Sequence, residues 1–424
     1  MKKILTIFAA LILLLVFAGC EYADLSYSNA EYIQDFEYML EVLRENFPYF
    51  GIAERRFGAN TERIIDNTRR ALLEAEITDA DRFADILQLN FIMPLRSIGH
   101  LSLQDRDVLH LILGNIYRGP IDYNGEPIYM HGRDFTYWGL KFKAVARSEA
   151  AQQFYGLIEV DLGYEYGMIM PNNVITEVLT PGEVAYIRVN QFWHYNIPHD
   201  KAIVFDFYEE IRGFDHLILD FRGNPGGFTR YFIQIFMAPN IPYDLKLDIY
   251  TLFMGGAHNL AWIAPTKDDA RVFYDSELQK IPLDEMLYRF PNLHPGDAAK
   301  LDYILPHPVQ IRSTGEMLFD GKIWILVDPF SASAVEYALL YAIAADFATI
   351  VGAPTRGVTG GALTAFATLP NTGLILRYDF GYFIDATGRA IDEFGVAPHY
   401  TNLPGQNALQ TVMYLILNDR SYYD

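Results

Sequence analysis

The chain has very little cysteine, since Cys20 is the only one among 424 residues. A single thiol cannot form a disulfide within one chain, which excludes an intrachain disulfide framework. The sequence also lacks a group of histidine, cysteine and carboxylate residues at metal-ligand spacing, so no metal or cofactor is expected. Positive charge is scarce, with 33 Lys and Arg against 53 Asp and Glu and a net charge of −20. This balance argues against a nucleic-acid partner.

Long apolar runs are absent except at the N-terminus. There, two lysines precede an apolar run over residues 4–17, and the ending F-A-G-C leads to Cys20. A basic start, an apolar run and small residues before a cut are typical of a secretory signal. The ending resembles a bacterial lipoprotein signal, which implies that Cys20 is lipidated and becomes the new N-terminus. The alternative is an uncleaved anchor helix, although the run is short for a membrane span.

The distribution of apolar residues divides the chain into four segments. Helical spacing predicts three helices after the signal, over residues 28–46, 61–76 and 79–90. The following stretch mixes glycine, proline, tyrosine and short apolar runs, which favours a β-rich module. The predicted segments are a signal peptide (1–20), a helical domain (21–103), a β-rich module (104–181) and an α/β domain (182–424).

From residue 182 onward, short apolar strands alternate with helical segments. This order predicts parallel strands that are covered by helices on both faces. A terminal hairpin, formed by residues 374–383 and the segment from Gly388 onward, and a closing helix over 409–417 are predicted near the end. The predicted strands cover residues 184–189, 216–220, 245–253, 323–327 and 348–351, and the predicted helices cover 200–211, 229–237 and the segment from 334.

Two serines, Ser331 and Ser333, stand where a predicted strand turns into a predicted helix. A helix N-terminus has free backbone N–H groups and a positive potential. A serine there can attack a carbonyl while neighbouring N–H groups hold the oxyanion. The alternative is that one of the serines only caps the helix.

A glycine-rich turn, F-R-G-N-P-G-G, follows the strand L-I-L-D and precedes a helix. Gly226 and Gly227 allow the backbone to approach other groups closely. No Gly-Lys-Ser/Thr follows, which excludes a phosphate-binding P-loop. Two interpretations stay open, namely an ordinary tight turn and a backbone N–H aimed at a reacting carbonyl oxygen.

Three motifs, taken in this order, resemble the C-terminal processing (tail-specific) serine peptidases. They are L-I-L-D-F-R-G-N-P-G-G (217–227), S-A-S-A-V-E (331–336) and I-V-G-A-P-T-R-G (350–357). The segments G-E-V-A-Y-I-R-V-N-Q-F and D-E-F-G-V-A-P-H are also similar to that family. The resemblance implies an α/β fold with a Clp-protease/crotonase-like core, and a protein or peptide as substrate.

The resemblance also implies roles for individual residues. Ser333 matches the nucleophile, and the backbone N–H groups of Ala334 and of Gly226 or Gly227 match the oxyanion donors. The processing branch of the family has a lysine base just after the G-x-P-T-x-G turn. This chain has Val358 there, and a valine cannot take a proton.

The tricorn-like branch of the same family uses a histidine base instead. The stretch I-G-H-L is similar to the histidine motif of that branch, so the resemblance implies His100 as the general base. A histidine with an ordinary pKa of about 6.5 suits this task. Gly99 stands where that branch has an acidic or hydroxyl residue. A late acidic residue orients the histidine in that branch, and Asp392 or Glu393 matches this position.

These observations predict a secreted, lipid-anchored serine peptidase of the cell envelope, at the outer membrane. A peptide-binding PDZ module is not recognisable in residues 104–181, so recognition of a C-terminal carboxylate is not supported. One alternative is an inactive relative that binds a peptide, a glycan or a lipid in the same cleft. Another is a crotonase-type acyl-CoA enzyme, which shares the fold but not the serine and histidine motifs.

Overall fold

The computed structural model describes most of the chain beyond the predicted signal. The signal peptide, Cys20 and most of the predicted β-rich module lie outside the described residues. Within the described part, no helix is both long enough and apolar enough to cross a membrane. The described residues are 29–106, 109, 145–146, 148–156, 170–263, 279–359 and 364–419.

The helices of the N-terminal region match the predicted pattern closely. Helices α1, α3 and α4 confirm the three predicted segments, whereas the short α2 was not predicted. Asn60 and Asp79 accept hydrogen bonds from the backbone N–H groups of Arg63 and Arg82, at 2.9 and 2.7 Å, and so cap α3 and α4. The first five helices are α1 (Asn29–Asn46), α2 (Phe50–Phe57), α3 (Thr61–Glu74), α4 (Ala80–Leu87) and α5 (Glu149–Tyr155).

The remaining helices pack around the sheets. They are α6 (Ile197–Glu210), α7 (Thr229–Phe232), α8 (Ala257–Ile263), α9 (Leu283–Arg289), α10 (Pro295–Ala298), α11 (Ala334–Ala344), α12 (Ile391–Phe394) and α13 (Ala408–Asp419). Short 3₁₀ or π turns lie at Gln88–Ile92, Ile98–His100, His194–Asn196, Ile233–Met237 and Ala238–Asn240.

A six-stranded sheet of order β13-β9-β8-β4-β3-β2 forms the centre. All of its strands run parallel except the edge strand β2, which pairs antiparallel with β3. Helix α13 covers one face, and the larger apolar core lies on the other. The predicted parallel sheet with two covered faces is therefore confirmed. Its strands are β2 (Val174–Thr180), β3 (Val184–Val189), β4 (His216–Asp220), β8 (Lys322–Val327), β9 (Thr349–Gly352) and β13 (Tyr400–Thr401).

Among the described residues there are also two antiparallel sheets, of order β1-β11-β10 and β12-β5-β7-β6. The predicted strand 245–253 exists, but it belongs to one of these sheets and not to the parallel sheet. Of the predicted terminal hairpin between 374–383 and the segment from Gly388, a single antiparallel bridge between Ile384 and Ala390 is present, because β11 pairs with β10 and β12 pairs with β5. Their strands are β1 (Ser102–Leu103), β5 (Leu245–Phe253), β6 (Gln279–Lys280), β7 (Tyr303–Ile311), β10 (Thr364–Thr368), β11 (Ile375–Asp379) and β12 (Tyr382–Phe383).

The segment predicted as a β-rich module is described only in part, so that prediction stays open. Its described elements include helix α5 and strand β2, and β2 is an edge strand of the central sheet. Sequence periodicity identifies such a strand but does not reveal its partner, because the partner is chosen by long-range packing.

One contiguous apolar core joins the N-terminal helices to the central sheet. Phe36 and Leu40 of α1 belong to the same buried cluster as Ile325 of β8 and Val335 of α11. The carboxyl ends of β3, β4, β8 and β9 lie at one edge of the parallel sheet, where ligand sites of such sheets commonly lie. The segments that carry the serine, glycine and Val358 motifs all follow these strand ends.

Candidate active site

The turn between β8 and α11 is fixed by Asp328. Its carboxylate oxygen Oδ1 accepts hydrogen bonds from the backbone N–H groups of Gly223, Phe330 and Ser331, at 3.0, 3.0 and 3.1 Å. Ser331 is fully buried, and its hydroxyl donates to the carbonyl of Phe221 at 2.9 Å. Ser331 therefore joins the serine turn to the glycine-rich turn and is not available to a substrate.

Ser333 occupies a strained backbone position directly before α11. Its φ of 56° and ψ of −117° are those of the second residue of a type II′ turn, a position that favours glycine. The turn is closed by a hydrogen bond from the N–H of Val335 to the carbonyl of Ala332 at 3.1 Å. The Ser333 side chain is partly exposed and makes no capping hydrogen bond. The helix-cap interpretation therefore fails for Ser333, and strain of this kind is common at functional sites.

The glycine-rich turn packs directly against Ser333. A Cβ atom placed on Gly226 would lie 2.6 Å from the Cβ of Ser333 and 2.8 Å from the backbone nitrogen of Ala334. The N–H of Gly226 already donates to the side chain of Asn224 at 2.8 Å. The N–H groups of Gly227 and Ala334 donate to no acceptor among the described residues. Of the two glycines, only Gly227 therefore has an N–H free to serve an oxyanion.

His100 lies at the end of a strained turn in the N-terminal region. Its φ is 49°, and Arg96, Ser97 and Gly99 also have positive φ angles. The strand that follows, β1, pairs with β11 and brings His100 beside Asp379. The Nδ1 atom of His100 lies 2.5 Å from Oδ2 of Asp379. This contact leaves Nε2 as the ring nitrogen that can exchange a proton with a substrate or a nucleophile.

The carboxylate of Asp379 is held in its charged form although it is fully buried. Burial alone raises the pKa of Asp379, but the charge of His100 and hydrogen bonds from His100 and Thr364 outweigh burial and lower it below its ordinary value. The hydroxyl of Thr364 donates to the second oxygen, Oδ1, at 2.6 Å. The charge of Asp379 in turn raises the pKa of His100, against the opposing effect of burial.

The two acidic residues expected beside His100 make other contacts. Both carboxylate oxygens of Glu393 accept hydrogen bonds from Arg55, at 2.9 and 2.7 Å. Asp392 is buried, and its Oδ2 accepts a hydrogen bond from the hydroxyl of Thr359 at 2.5 Å. The expected contact is thus corrected, because the carboxylate hydrogen-bonded to His100 comes from β11 and not from α12.

Asp392 nevertheless belongs to the same buried neighbourhood. Its second oxygen, Oδ1, has no hydrogen-bond partner among the described residues. Burial raises the pKa of Asp392 to about 7, and the nearby charge of Asp379 acts in the same direction while that of His100 opposes it. Asp392 is therefore close enough to sense the histidine pair, without being its hydrogen-bond partner.

The loop that carries Val358 connects the two halves of the site. The N–H of Ser333 donates to the carbonyl of Val358 at 2.8 Å. The next residue, Thr359, donates its hydroxyl to Asp392, and Asp392 interacts electrostatically with His100. The loop therefore links Ser333, through Val358, to the neighbourhood of the His100–Asp379 pair, through Thr359 and Asp392.

The carboxylate of Glu336, in the first turn of α11, holds the backbone of this loop. Its carboxylate accepts hydrogen bonds from the N–H groups of Gly357 and Val358, at 2.5 and 2.9 Å, and from the hydroxyl of Thr355 at 2.9 Å. Burial raises the pKa of Glu336 to about 8, and the nearby charge of Asp392 adds to this.

Sequence reasoning missed Asp379 and Glu336 as members of the site. Glu336 lies within the quoted S-A-S-A-V-E motif, and an acid that directly follows a serine turn on an apolar helix was a usable signal. Asp379 ends an apolar strand, but nothing local shows that β11 pairs with the strand after His100. The separation between His100 and Asp379 is 279 residues.

Comparison with known proteins gives one family and a set of related folds. The family model described as Peptidase family S41 matches residues 183–402. A protein assigned as a peptidase from Parabacteroides merdae ATCC 43184 is 16% identical, with a TM-score of 0.52 over 92% of this chain and 97% of that chain. The structure of mature CPAF is 13% identical, with a TM-score of 0.51 over 92% of this chain and 98% of that one. No curated protein sequence gives a match.

The two solved structures share the mixed α/β fold of this chain. The family model covers more than half of the chain and includes the glycine-rich turn, Ser333 and the Val358 loop. The predicted resemblance to the C-terminal processing serine peptidases is thereby confirmed at the level of the family, and this chain belongs to peptidase family S41.

Proposed function

We propose that the chain is a serine endopeptidase that works with a Ser333–His100–Asp379 triad. The observation that carries the proposal is the contact between Asp379 and Nδ1 of His100, which fixes the ring and leaves Nε2 for proton transfer. The strained turn at Ser333 and the free N–H groups beside it add support. A histidine base also explains how a family member can function with Val358 in place of a lysine.

In the proposed acylation step, Oγ of Ser333 attacks the carbonyl carbon of the peptide and its proton moves to Nε2 of His100. The N–H groups of Ala334 and Gly227 donate hydrogen bonds to the oxyanion. The C–N bond then breaks, and His100 returns the proton to the departing amine. An acyl group remains bonded to Ser333.

In the proposed deacylation step, water attacks the acyl carbon and gives a proton to His100. The ester bond to Ser333 breaks, and the proton returns to Oγ. Asp379 stabilises the imidazolium that forms in each step, without itself taking the proton. No metal or cofactor takes part in this scheme.

We also propose that the substrates are proteins or peptides outside the cytoplasm. The support is the signal-like N-terminus that ends at Cys20, which predicts a lipid anchor. A diacylglyceryl group would supply the two acyl chains that stable anchoring requires. Replacing Cys20 with serine should move the protein from the membrane fraction to the soluble fraction or leave its precursor uncut, and unchanged fractionation and mass would contradict the anchor.

The alternative function is binding without catalysis, and Val358 in place of the family lysine favours it. Turnover of an unfolded protein substrate separates the two functions. We expect Ser333→Ala and His100→Ala each to lower kcat by about 10³–10⁶-fold, and the double variant to lose little more, because the two residues act as one unit. The matched control is Ser313→Ala, since the Ser313 hydroxyl donates to the carbonyl of Ile241, apart from this site.

All of these variants must first show cooperative unfolding, so that a loss of activity reports chemistry. Turnover by Ser333→Ala at the wild-type rate would reject the mechanism. If the wild-type protein is itself inert over a broad range of substrates and pH, the binding function is favoured instead.

A further inference from the structure

The loop of residues 355–359 supports the Ser333 turn through its backbone. The carbonyl of Val358 accepts the hydrogen bond from Ser333, and the hydroxyl of Thr359 binds Asp392. The side chain of Val358 plays no part in these contacts. Val358, which stands where related enzymes have a lysine, therefore contacts Ser333 through its backbone carbonyl. The groups that hold this carbonyl in place also hold Ser333.

Glu336 fixes one side of the loop by accepting the N–H groups of Gly357 and Val358. The carbonyl groups of the same loop are hydrogen-bond acceptors, and an ionised carboxylate cannot donate to them. A cationic, amide or hydroxyl side chain can.

Arg56, on helix α2 of the N-terminal region, supplies that donor. Its guanidinium donates to the carbonyl of Gly357 at 3.1 Å and also to the carbonyls of Arg356 and Asp392. One side chain thus joins the loop that supports Ser333 to the short helix that carries Asp392. Only a guanidinium has enough donors in a planar array to reach three acceptors in this way.

The neighbouring arginine, Arg55, makes contacts of a different kind. Arg55 forms ion pairs with Asp297 and Glu393, at 2.5 and 2.7 Å. Arg56 forms no ion pair among the described residues, so its hydrogen bonds to protein acceptors are those to backbone carbonyls. Because these hydrogen bonds all go to the 355–359 loop and to the segment of Asp392, Arg56 is suited to positioning the two segments.

Gly357 allows this contact because it has no side chain. Its φ is 70°, and a Cβ atom at this residue would lie 2.7 Å from Nη1 of Arg56 and 2.7 Å from the carbonyl oxygen of Ile391. Any larger residue would push the guanidinium and the Asp392 segment away from the loop. The chain therefore brings the arginine and the two segments together at a point where there is no spare space.

We propose that Arg56 is a positioning residue for Ser333, acting through the 355–359 loop. The proposal rests on the proposed peptidase function and deepens it. Without the guanidinium, the carbonyl of Val358 is free to shift, and the strained conformation of Ser333 loses its hydrogen-bonded support. Misplacement of a nucleophile by about 1 Å can cost on the order of 10²-fold in rate. The loss is expected in kcat, because Arg56 touches no substrate.

The test compares Arg56→Ala and Arg56→Lys with the control Arg63→Ala in the full-length protein. Arg63 is exposed on α3 and lies in the same N-terminal region. The measurements are kcat and KM for a peptide substrate and the rate at which a fluorophosphonate labels Ser333. We expect kcat and the labelling rate to fall together by about 10–100-fold in Arg56→Ala, with KM changed by less than about threefold.

Arg56→Lys should lose nearly as much, because an ammonium group cannot span the three carbonyls. It keeps the charge and most of the side chain, so it serves as the test if Arg56→Ala does not fold. Wild-type kcat in a folded Arg56→Lys or Arg56→Ala variant, or a loss confined to KM, would overturn the positioning role. Activity that survives in Ser333→Ala would reject the peptidase function itself, which keeps the two failures distinct.

Discussion

In the proposed mechanism, the contact between His100 and Asp379 determines how a proton can move. Asp379 raises the pKa of His100 and binds its Nδ1 atom. A histidine base must be neutral to accept a proton, so activity should rise with pH as His100 loses its proton. The acid limb of the profile is therefore expected above the ordinary histidine value of about 6.5.

Replacing Asp379 with asparagine should change both the rate and the pH profile. The negative charge that favours imidazolium disappears, so the pKa of His100 falls and the acid limb moves to lower pH. The amide also fails to stabilise the imidazolium, and kcat should drop by about 10³–10⁴-fold, as in other triads. The measurement is kcat/KM against pH. Asp392→Asn is the comparison, and an equal loss in both variants would contradict the assignment of Asp379.

Single residues differ in how well the sequence reveals them. The position of Ser333 at the start of a helix could be predicted because its strand, turn and helix are contiguous in the chain. The carboxylate partner of His100 could not, since it depends on the pairing of β1 with β11 across 279 residues. Asp392 matched a family position and does lie near His100, but local sequence does not determine which of several nearby acids forms the hydrogen bond.

The strand–turn–helix unit around Ser333 determines the backbone conformation of this residue. With the type II′ geometry at Ser333, its hydroxyl does not cap the helix, and the N–H of Ala334 has no acceptor among the residues that the structure describes. Such a conformation is costly for any residue with a Cβ atom, by about 1–3 kcal/mol. The hydrogen bond from the N–H of Ser333 to the carbonyl of Val358 and the contact with Gly226 hold it in place.

Ser333→Gly should therefore be more stable than Ser333→Ala by about 1 kcal/mol. Both variants lack the nucleophile, so the comparison isolates the backbone, because glycine adopts a positive φ without the steric cost paid by alanine. The measurement is the free energy of unfolding of the two variants from urea titrations. Equal stability, or a more stable alanine variant, would show that the turn is not strained in solution.

At the level of elements, strand and helix positions followed well from periodicity, whereas sheet membership did not. The parallel strands β3, β4, β8 and β9 were predicted close to their observed bounds. Strand β5 was also found in the sequence but was assigned to the wrong sheet. A pattern of alternating polar and apolar residues does not distinguish a strand of one sheet from a strand of its neighbour.

In the whole molecule, the proposed site combines two distant parts of the chain. The N-terminal region provides His100 and Arg56, and the segment matched by the family model provides Ser333 and Asp379. A single apolar core binds these parts together. Buried acids concentrate where they meet, and Asp392 and Glu336 both have pKa values raised by burial, to about 7 and about 8.

These two carboxyl groups should make the folded protein less stable as pH rises. In the unfolded chain they release protons near their ordinary values of 3.8 and 4.5, whereas the folded protein retains them to about 7 and about 8. Between these limits the folded state binds more protons, so the free energy of unfolding falls with increasing pH. His100, with its raised pKa, acts in the same direction.

Urea titrations between about pH 5 and 8 measure this slope. A group that is protonated only in the folded state contributes up to about 1.4 kcal/mol per pH unit. Asp392→Asn should flatten the slope in the part below about pH 7. An unchanged slope in the variant, or a wild-type stability that rises with pH over this range, would contradict the account of the buried acids.

The most direct test of the triad is labelling of the purified soluble form with a fluorophosphonate, followed by mass spectrometry of its peptides. The account predicts one labelled residue, Ser333, with no label in Ser333→Ala. It also predicts labelling slowed by at least about 10²-fold in His100→Ala, since loss of a general base costs about 10²–10⁴-fold. Labelling at a different serine, or an unchanged labelling rate in His100→Ala, would contradict it.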